Sequence, residues 1–378
     1  MSQSQPRKKT ERIPYDVVYD IFTRLAVKSL MRFRCVSKSC NSIITNPIFI
    51  KTHLDRANNN GYLLYIDHAS KNPPYRRELC TVVYNTLTEI SRFQIPFSHL
   101  HIAGFCNGMF CFRNYRNNVL YLWNPTIRKF KKLANARKCF PYSRSFFTFG
   151  LAYHAQNNDF KILRIVCYKK IGQVYMLQAK AEVYTLSTDS WREVVIELEP
   201  QTRFIDHIPE SYCLFHNGAL HTILNSAVER GYILSFDVND ERFRKIMLPQ
   251  SYFDVAFYSD IHIKSLAVIK GSLAFIVFCN NIDRLSGKCH IWVMREYGVV
   301  ESWTRKSVRM DLVQDFYGGT DNGELLIKNA TGLVSLDPES LNVNKLAIED
   351  ARWMAYTPNS MESLVLLDGL NVSSEYED

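Results

Sequence analysis

Two hydrophobic periods divide this chain. Over residues 13–49 the apolar positions recur at helical spacing: Val17, Val18, Ile21, Phe22 and Leu25, then Leu30, Phe33 and Val36, then Cys40, Ile43 and Ile44. The spacing predicts three short helices. Pro14 suits a first turn, where its missing N–H has no intrahelical partner to lose. Ser37 is placed to cap the third helix and Asn46-Pro47 to stop it. A segment of about 35 residues cannot bury all these apolar faces internally. The remainder is left either for another protein or for the domain that follows.

After a polar stretch at 55–61, which reads as a linker, the helical period disappears. From Tyr62 onward, short β-branched and aromatic runs alternate with turn signals. Four hairpin signals share one form: Cys106-Asn107-Gly108-Met109, His216-Asn217-Gly218-Ala219, Ile269-Lys270-Gly271-Ser272 and Asp321-Asn322-Gly323-Glu324. The last two glycine intervals are 53 and 52 residues, and the first, 110, leaves room for two units. Phe149–Lys161 fills that gap as a degenerate copy. A second hairpin follows in each unit, as in Leu122-Trp123-Asn124-Pro125 leading into Phe130. Four strands every 50 or so residues is the period of a kelch-like propeller blade. The expected fold is mainly β with a small N-terminal α domain: three helices, then a kelch-like β-propeller of about six blades over residues 62–370. The apolar run Ser363–Leu367 is the expected partner of the chain's first strands in a closing blade. Residues 1–12 read as a disordered basic tail and 371–378 as an acidic one.

Composition changes this picture little. Hydrophobic content is 47% and charged content 22%, ordinary for a globular protein. No apolar run reaches the 18 or so residues of a membrane span, and Ser272–Cys279 reads as a buried strand. The N-terminus is basic but lacks a following apolar core, so it is not a secretory signal. Ten cysteines, none in a Cys-x-x-Cys pair, therefore read as reduced, mostly buried thiols in the cytoplasm or nucleus. Asn329-Ala-Thr331 and Asn371-Val-Ser373 match the glycosylation pattern by chance. The net charge of +9 is scattered along the chain, which argues against a nucleic-acid reader.

No catalytic constellation assembles from the sequence. His99-x-His101 and His216…His221 lack the second ligand pair a zinc site needs. Gly-x-Ser-x-Gly is absent, Gly287-Lys288-Cys289 lacks the P-loop hydroxyl, and Gly318–Gly323 precedes a strand. No cofactor and no metal is expected. A candidate binding segment is Ala136–Phe147, where Arg137, Tyr142 and Arg144 mix guanidinium and aromatic groups, the types that anchor protein interfaces.

The N-terminal segment resembles the F-box of plant F-box proteins, through Ile13-Pro14, Asp16, Val27-Lys28-Ser29-Leu30, Arg32-Phe33-Arg34-Cys35-Val36, Lys38-Ser39 and Asn46-Pro47. Residues 13–54 are then the F-box. The β region resembles the F-box-associated interaction domain, through Cys106-Asn107-Gly108, Leu122–Thr126, Asn158-Asp159-Phe160-Lys161, Asn217–His221 and Glu362-Ser363-Leu364. Pollen S-locus-type and defence-regulating F-box proteins share this layout.

These resemblances imply docking onto the Skp-type adaptor, and through it the cullin, of an SCF (Skp–cullin–F-box) ubiquitin ligase. The propeller would hold an unknown target protein. The receptor subunit itself would do no bond chemistry, and neither a membrane nor a nucleic acid is an expected partner. Pro14, Ile21, Leu25, Leu30, Val36 and Cys40 are the expected adaptor contacts. Ala26 stands where the family usually has Pro, and Cys40 where it usually has an interface-anchoring Trp. The alternative reading is a sugar-binding or enzymatic propeller with an incidental F-box, and a convergent His or acid–base cluster at the propeller mouth would favour it.

Overall fold

The computed structural model describes residues 13–56, 61–68, 77–97, 100–116, 118–133, 145–169, 177–196, 212–224, 231–280, 286–348, 351–358, 361–365 and 372–373. The chain opens with helices α1 (Tyr15–Thr23), α2 (Val27–Phe33), α3 (Lys38–Ile44) and α4 (Pro47–Asp55). The fourth helix corrects the three-helix expectation. Asn46-Pro47 does end α3, but it also begins α4. The Asn46 side chain accepts the Ile48 N–H at 2.8 Å, and Pro47 sits in the first turn. Ser37 caps α3 as expected, accepting the Cys40 N–H at 3.1 Å.

Six antiparallel sheets follow, each a propeller blade. Blade 1 takes β1 (Tyr62–His68), β2 (Arg77–Val83) and β3 (Glu89–Gln94). Blade 2 is β4 (Leu100–Cys106), β5 (Met109–Asn114), β6 (Leu120–Asn124) and β7 (Lys129–Lys132). Blade 3 is β8 (Ser145–His154), β9 (Asp159–Lys169), β10 (Leu177–Thr185) and β11 (Ser190–Val194). Blade 4 is β12 (Leu214–His216), β13 (Ala219–Leu224), β14 (Tyr232–Asp237) and β15 (Phe243–Met247). Helix α5 (Gln250–Tyr258) leads to blade 5: β16 (Asp260–Ile269), β17 (Ser272–Asn280), β18 (Ser286–Met294) and β19 (Trp303–Asp311). Blade 6 is β20 (Val313–Gly319), β21 (Leu325–Asn329), β22 (Gly332–Leu336) and β23 (Val343–Lys345).

The ring closes where β24 (Trp353–Thr357) pairs with β1 and becomes the innermost strand of blade 1. Closure across the chain ends leaves the inner strands no open edge. The closing strand is thus not the Ser363–Leu367 run expected from its hydrophobicity. A final short strand, β25 (Val372–Ser373), adds to β7 at the outer edge of blade 2. The sheet thereby reaches into the stretch read from sequence as an acidic tail.

The Asn-Gly signals are the turns between each inner strand and the next. Asn107 and Gly108 have φ of 48° and 75°, and Asn217 and Gly218 of 48° and 71°. These are paired left-handed residues, as a two-residue hairpin whose twist matches its strands requires. Lys270 adopts the same conformation at φ 48°. Blade 1 has no such signal because its inner strand arrives from the far end of the chain.

Packing follows the blade interfaces. Six apolar clusters lie between successive blades, from Leu64, Phe110 and Trp123 between blades 1 and 2 round to Leu63, Leu326 and Met354 between blades 6 and 1. β17 is buried along almost its whole length, as its unbroken apolar run implied. Two buried lysines tie neighbouring blades. Lys131 Nζ reaches Asp189 at 2.8 Å, and Lys161 Nζ reaches Glu241 at 2.7 Å and the Val238 carbonyl at 2.8 Å. A buried ammonium is tolerated only when paired in this way.

Antiparallel order also gives the ring two unlike faces. Turns within each pair of first and second, or third and fourth, strands emerge on one face. Connections between second and third strands, and those between blades, emerge on the other.

Candidate functional site

The helical unit has a small core of Phe22, Val27, Leu30, Ile43, Ile44 and Phe49. Phe22 meets Phe33 at 5.2 Å and Tyr19 meets Phe49 edge-on at 5.2 Å. α4 pins the junction of the first two helices. His53 Nε2 lies 2.8 Å from the Leu25 carbonyl, and Arg56 engages both Asp20 and the Thr23 hydroxyl. The two arginines Arg24 and Arg56 beside Asp20 hold its carboxyl below the usual carboxylate range.

Outside that core the unit exposes an unusual amount of apolar surface. Ile13, Tyr15, Val17, Ile21, Phe33, Val36 and Ile48 are all exposed. Val17 and Ile21 are four residues apart on α1, so they share one face. Val36 is 71% and Ile48 72% exposed, more than folding of this chain alone would favour.

The expected adaptor contacts divide. Pro14, Ile21 and Val36 are exposed, while Leu25 and Cys40 are partly buried. Leu30 is a correction: it is fully buried in the helical core and offers no surface to a partner. Its place among the contacts fails because the α2 face bearing Val27 and Leu30 turns inward, into one cluster with Ile43 and Leu364. Tyr15, Val17 and Ile48 were not singled out from the sequence as contacts. Ile48 could have been found only by reading Asn46-Pro47 as a start signal.

The helices sit on the turn face of blades 2 and 3. Asn158, in the β8–β9 turn, donates its side-chain N–H to the Pro47 carbonyl at 3.1 Å, and Ile127, in the β6–β7 turn, packs against the helical core. The segment 361–365 lies between the helices and blade 2. Leu364 is 3% exposed and completes the helical core. The Glu362 carboxylate accepts the Val27 N–H at 2.8 Å. Asn124 donates to the carbonyls of Ser363 and Val365 at 3.0 and 3.1 Å, and the Thr126 hydroxyl donates to that of Met361 at 3.3 Å.

The propeller encloses a central cavity of about 540 Å³, lined by inner-strand residues including Phe105, Trp353, His216 and Lys264. Near it His216, His221, Tyr297 and Ser235 converge. This is the kind of cluster the enzymatic alternative would need. The Leu214 carbonyl can only accept, so His221 Nδ1 donates to it at 3.2 Å, and Nε2 then accepts from the Tyr297 hydroxyl at 2.7 Å. Burial pushes the His221 pKa down to about 4. Both nitrogens are occupied, and so weak a base is poorly matched to proton transfer near neutrality.

Among the described residues no group of three or more His, Cys, Asp and Glu is arranged to hold a metal. Cys80, Cys106, Cys111, Cys167, Cys213, Cys279 and Cys289 are buried free thiols. Burial pushes Cys106 and Cys213 up to about 12, so neither is a poised nucleophile. His101 is exposed at the edge of β4, and His99 lies outside the described residues. Arg137, Tyr142 and Arg144 also lie outside them, as do residues 1–12 and most of the linker.

Comparison with known families matches residues 11–52 to the F-box domain and residues 76–354 to the F-box associated beta propeller domain. Among similar proteins of Arabidopsis thaliana, F-box protein CPR1 is 27% identical, over 94% of this chain and 89% of its own. F-box protein At3g07870 is 27% identical over 78% of this chain and 72% of its own. F-box/kelch-repeat protein At3g23880 is 24% identical over 78% of each.

Proposed function

The chain belongs to the F-box proteins that carry an F-box-associated β-propeller, and from that premise we propose that it is the substrate-recognition subunit of an SCF-type ubiquitin ligase. Its helices dock a Skp-type adaptor, which brings the cullin. Its propeller binds a target protein. The subunit contributes effective concentration and orientation, placing target lysines near the conjugating enzyme, and supplies no reacting side chain.

The observation that carries this reading is the exposure of Val17, Ile21, Val36 and Ile48 on helices that are otherwise well packed. The two-faced ring supports it as well. With the helices on the turn face, we assign target capture to the opposite face, with Arg137, Tyr142 and Arg144 as the candidate residues. The tied-down His221 network supports a binding role over an enzymatic one and leaves the sugar-binding alternative open.

The test is affinity purification of the full chain from plant cells with the proteasome blocked. Adaptor and cullin should co-purify with the native chain and be lost from a Val17→Asp, Ile21→Asp double variant. Equal recovery from both would sink the assignment. Replacing Arg137, Tyr142 and Arg144 together with Ala should reduce capture of whatever target accompanies the complex and leave adaptor recovery alone. The place of work, cytoplasm or nucleus, belongs to the same proposal and is checked by a fluorescent fusion.

A further inference from the structure

We infer that the C-terminal segment Met361–Val365 is a working part of the adaptor-docking unit, with Leu364 and Glu362 as positioning residues that set the F-box in place on the propeller. The inference rests on the adaptor-docking reading above.

The path of the chain makes it possible. Every inner strand runs toward the turn face, so β24, the last of them, ends on the face where the helices sit. The described segment 361–365 then meets the start of α2 through Glu362. Leu364 inserts between the helices as though it belonged to them, although more than 300 residues separate it from Phe49. Without Leu364 the core of Val27, Leu30 and Ile43 would be open on one side.

Glu362 meets a second need of the same helix. The residue before α2 is Ala26, which has no side chain able to cap it, and no side-chain cap is formed there. Helix N-termini leave N–H groups unsatisfied and favour negative charge. The Glu362 carboxylate supplies both from the other end of the chain, accepting the Val27 N–H at 2.8 Å. Ala26, which stands where the resemblance expects Pro, is compensated here by a residue that sequence proximity could never reveal.

The other side of the segment is fastened to blade 2. Asn124 is fully buried and grips two of its carbonyls, and Thr126 holds a third. Gly108 lets it pass: a Cβ there would lie 2.5 Å from the Met361 carbonyl oxygen. A segment bonded to the helices on one side and to blade 2 on the other fixes the angle between them. The adaptor and the opposite face of the propeller are thereby held at a set geometry.

The experiment uses the full-length chain with purified Skp-type adaptor, measuring affinity by calorimetry and hydrogen exchange peptide by peptide. The native chain must bind first; failure there rejects the docking reading and leaves the segment's role in packing to be read from exchange. Given binding, Leu364→Asp should weaken it at least tenfold and speed exchange in α1–α4, while β16–β19 keep native protection. Leu364→Met should keep both close to native. Glu362→Ala should give a smaller loss, about two- to fivefold, with faster exchange at the start of α2. Native affinity and native α1–α4 exchange in Leu364→Asp would overturn the inference. So would loss of protection spread equally over all six blades, which would make the segment a general element of the fold.

Discussion

The helical unit and the propeller solve the problem of apolar surface in opposite ways. Each blade buries its large side chains against the next, and the ring leaves no inner edge unpaired: Trp292, Phe110, Phe275 and Tyr184 are all fully buried. The helices bury Phe22, Leu30 and Phe49 but leave Val17, Ile21, Val36 and Ile48 in solvent. A closed ring of six can satisfy itself. Four short helices cannot, even with Leu364 lent by the C-terminal segment. Stability should therefore be a property of the propeller and partner capture a property of the helices, and the two should be separable by mutation.

The largest effect expected is on the propeller. Trp292 stacks on Phe275 at a 5.6 Å centroid distance and donates its indole N–H to Ser251 at 2.9 Å. Trp292→Ala should cost about 3–5 kcal/mol of stability. Chemical denaturation checks this. A loss confined to adaptor binding would mean the two regions are not separable in the way described.

Acid should also find the propeller first. Burial holds both His221 and His290 neutral down to a pKa of about 4. In the unfolded chain each takes up a proton near its ordinary value of about 6.5. Between those two values the unfolded state binds more protons, so stability is complete above roughly pH 6.5 and falls as pH drops toward 4. Each histidine should contribute a slope on the order of 1 kcal/mol per pH unit in that window. Replacing His221 with Gln should flatten the slope, and an unchanged slope would remove His221 from the account.

The difference between the regions also decides what could be read from sequence. The turn after each inner strand was legible because paired left-handed residues demand Asn-Gly or its equivalents, as at Asn107-Gly108 and Asn217-Gly218. Blade 1 carried no such mark, since its inner strand is joined by pairing rather than by a turn. The closing strand was misplaced for the same kind of reason. Hydrophobicity favoured Ser363–Leu367, yet Leu364 is buried against helices and Trp353–Thr357 closes the ring. Helix α5 escaped because Tyr252, Phe253 and Val255 are strand-type residues, held helical by packing on Phe275 and Trp292. In the helical unit, spacing identified the apolar residues but not which of them turned inward, because Leu30 and Ile21 look alike until the partner of each face is known. The contacts made by Glu362 and Leu364 lie on the far side of the sequence and leave no local signature.

A smaller effect should come from Cys40, which is partly buried at the start of α3 and stands where the resemblance leads one to expect an indole. Cys40→Trp should tighten adaptor binding a few-fold by adding buried aromatic area. A dissociation constant that stays the same or rises would mean this helical unit has repacked around the thiol.

The most direct measurement sets the two regions against each other in one protein. Val17→Asp with Ile21→Asp places two charges on the exposed face of α1 and touches nothing in the ring. Each of those side chains is a little under half exposed, so burying the rest in a complex is worth about 0.7–1.5 kcal/mol, and calorimetry with purified Skp-type adaptor should show at least about a tenfold loss of affinity. The melting temperature should not move. Native affinity in this variant would contradict the account, because the apolar face of the helices would then have no part in holding the adaptor.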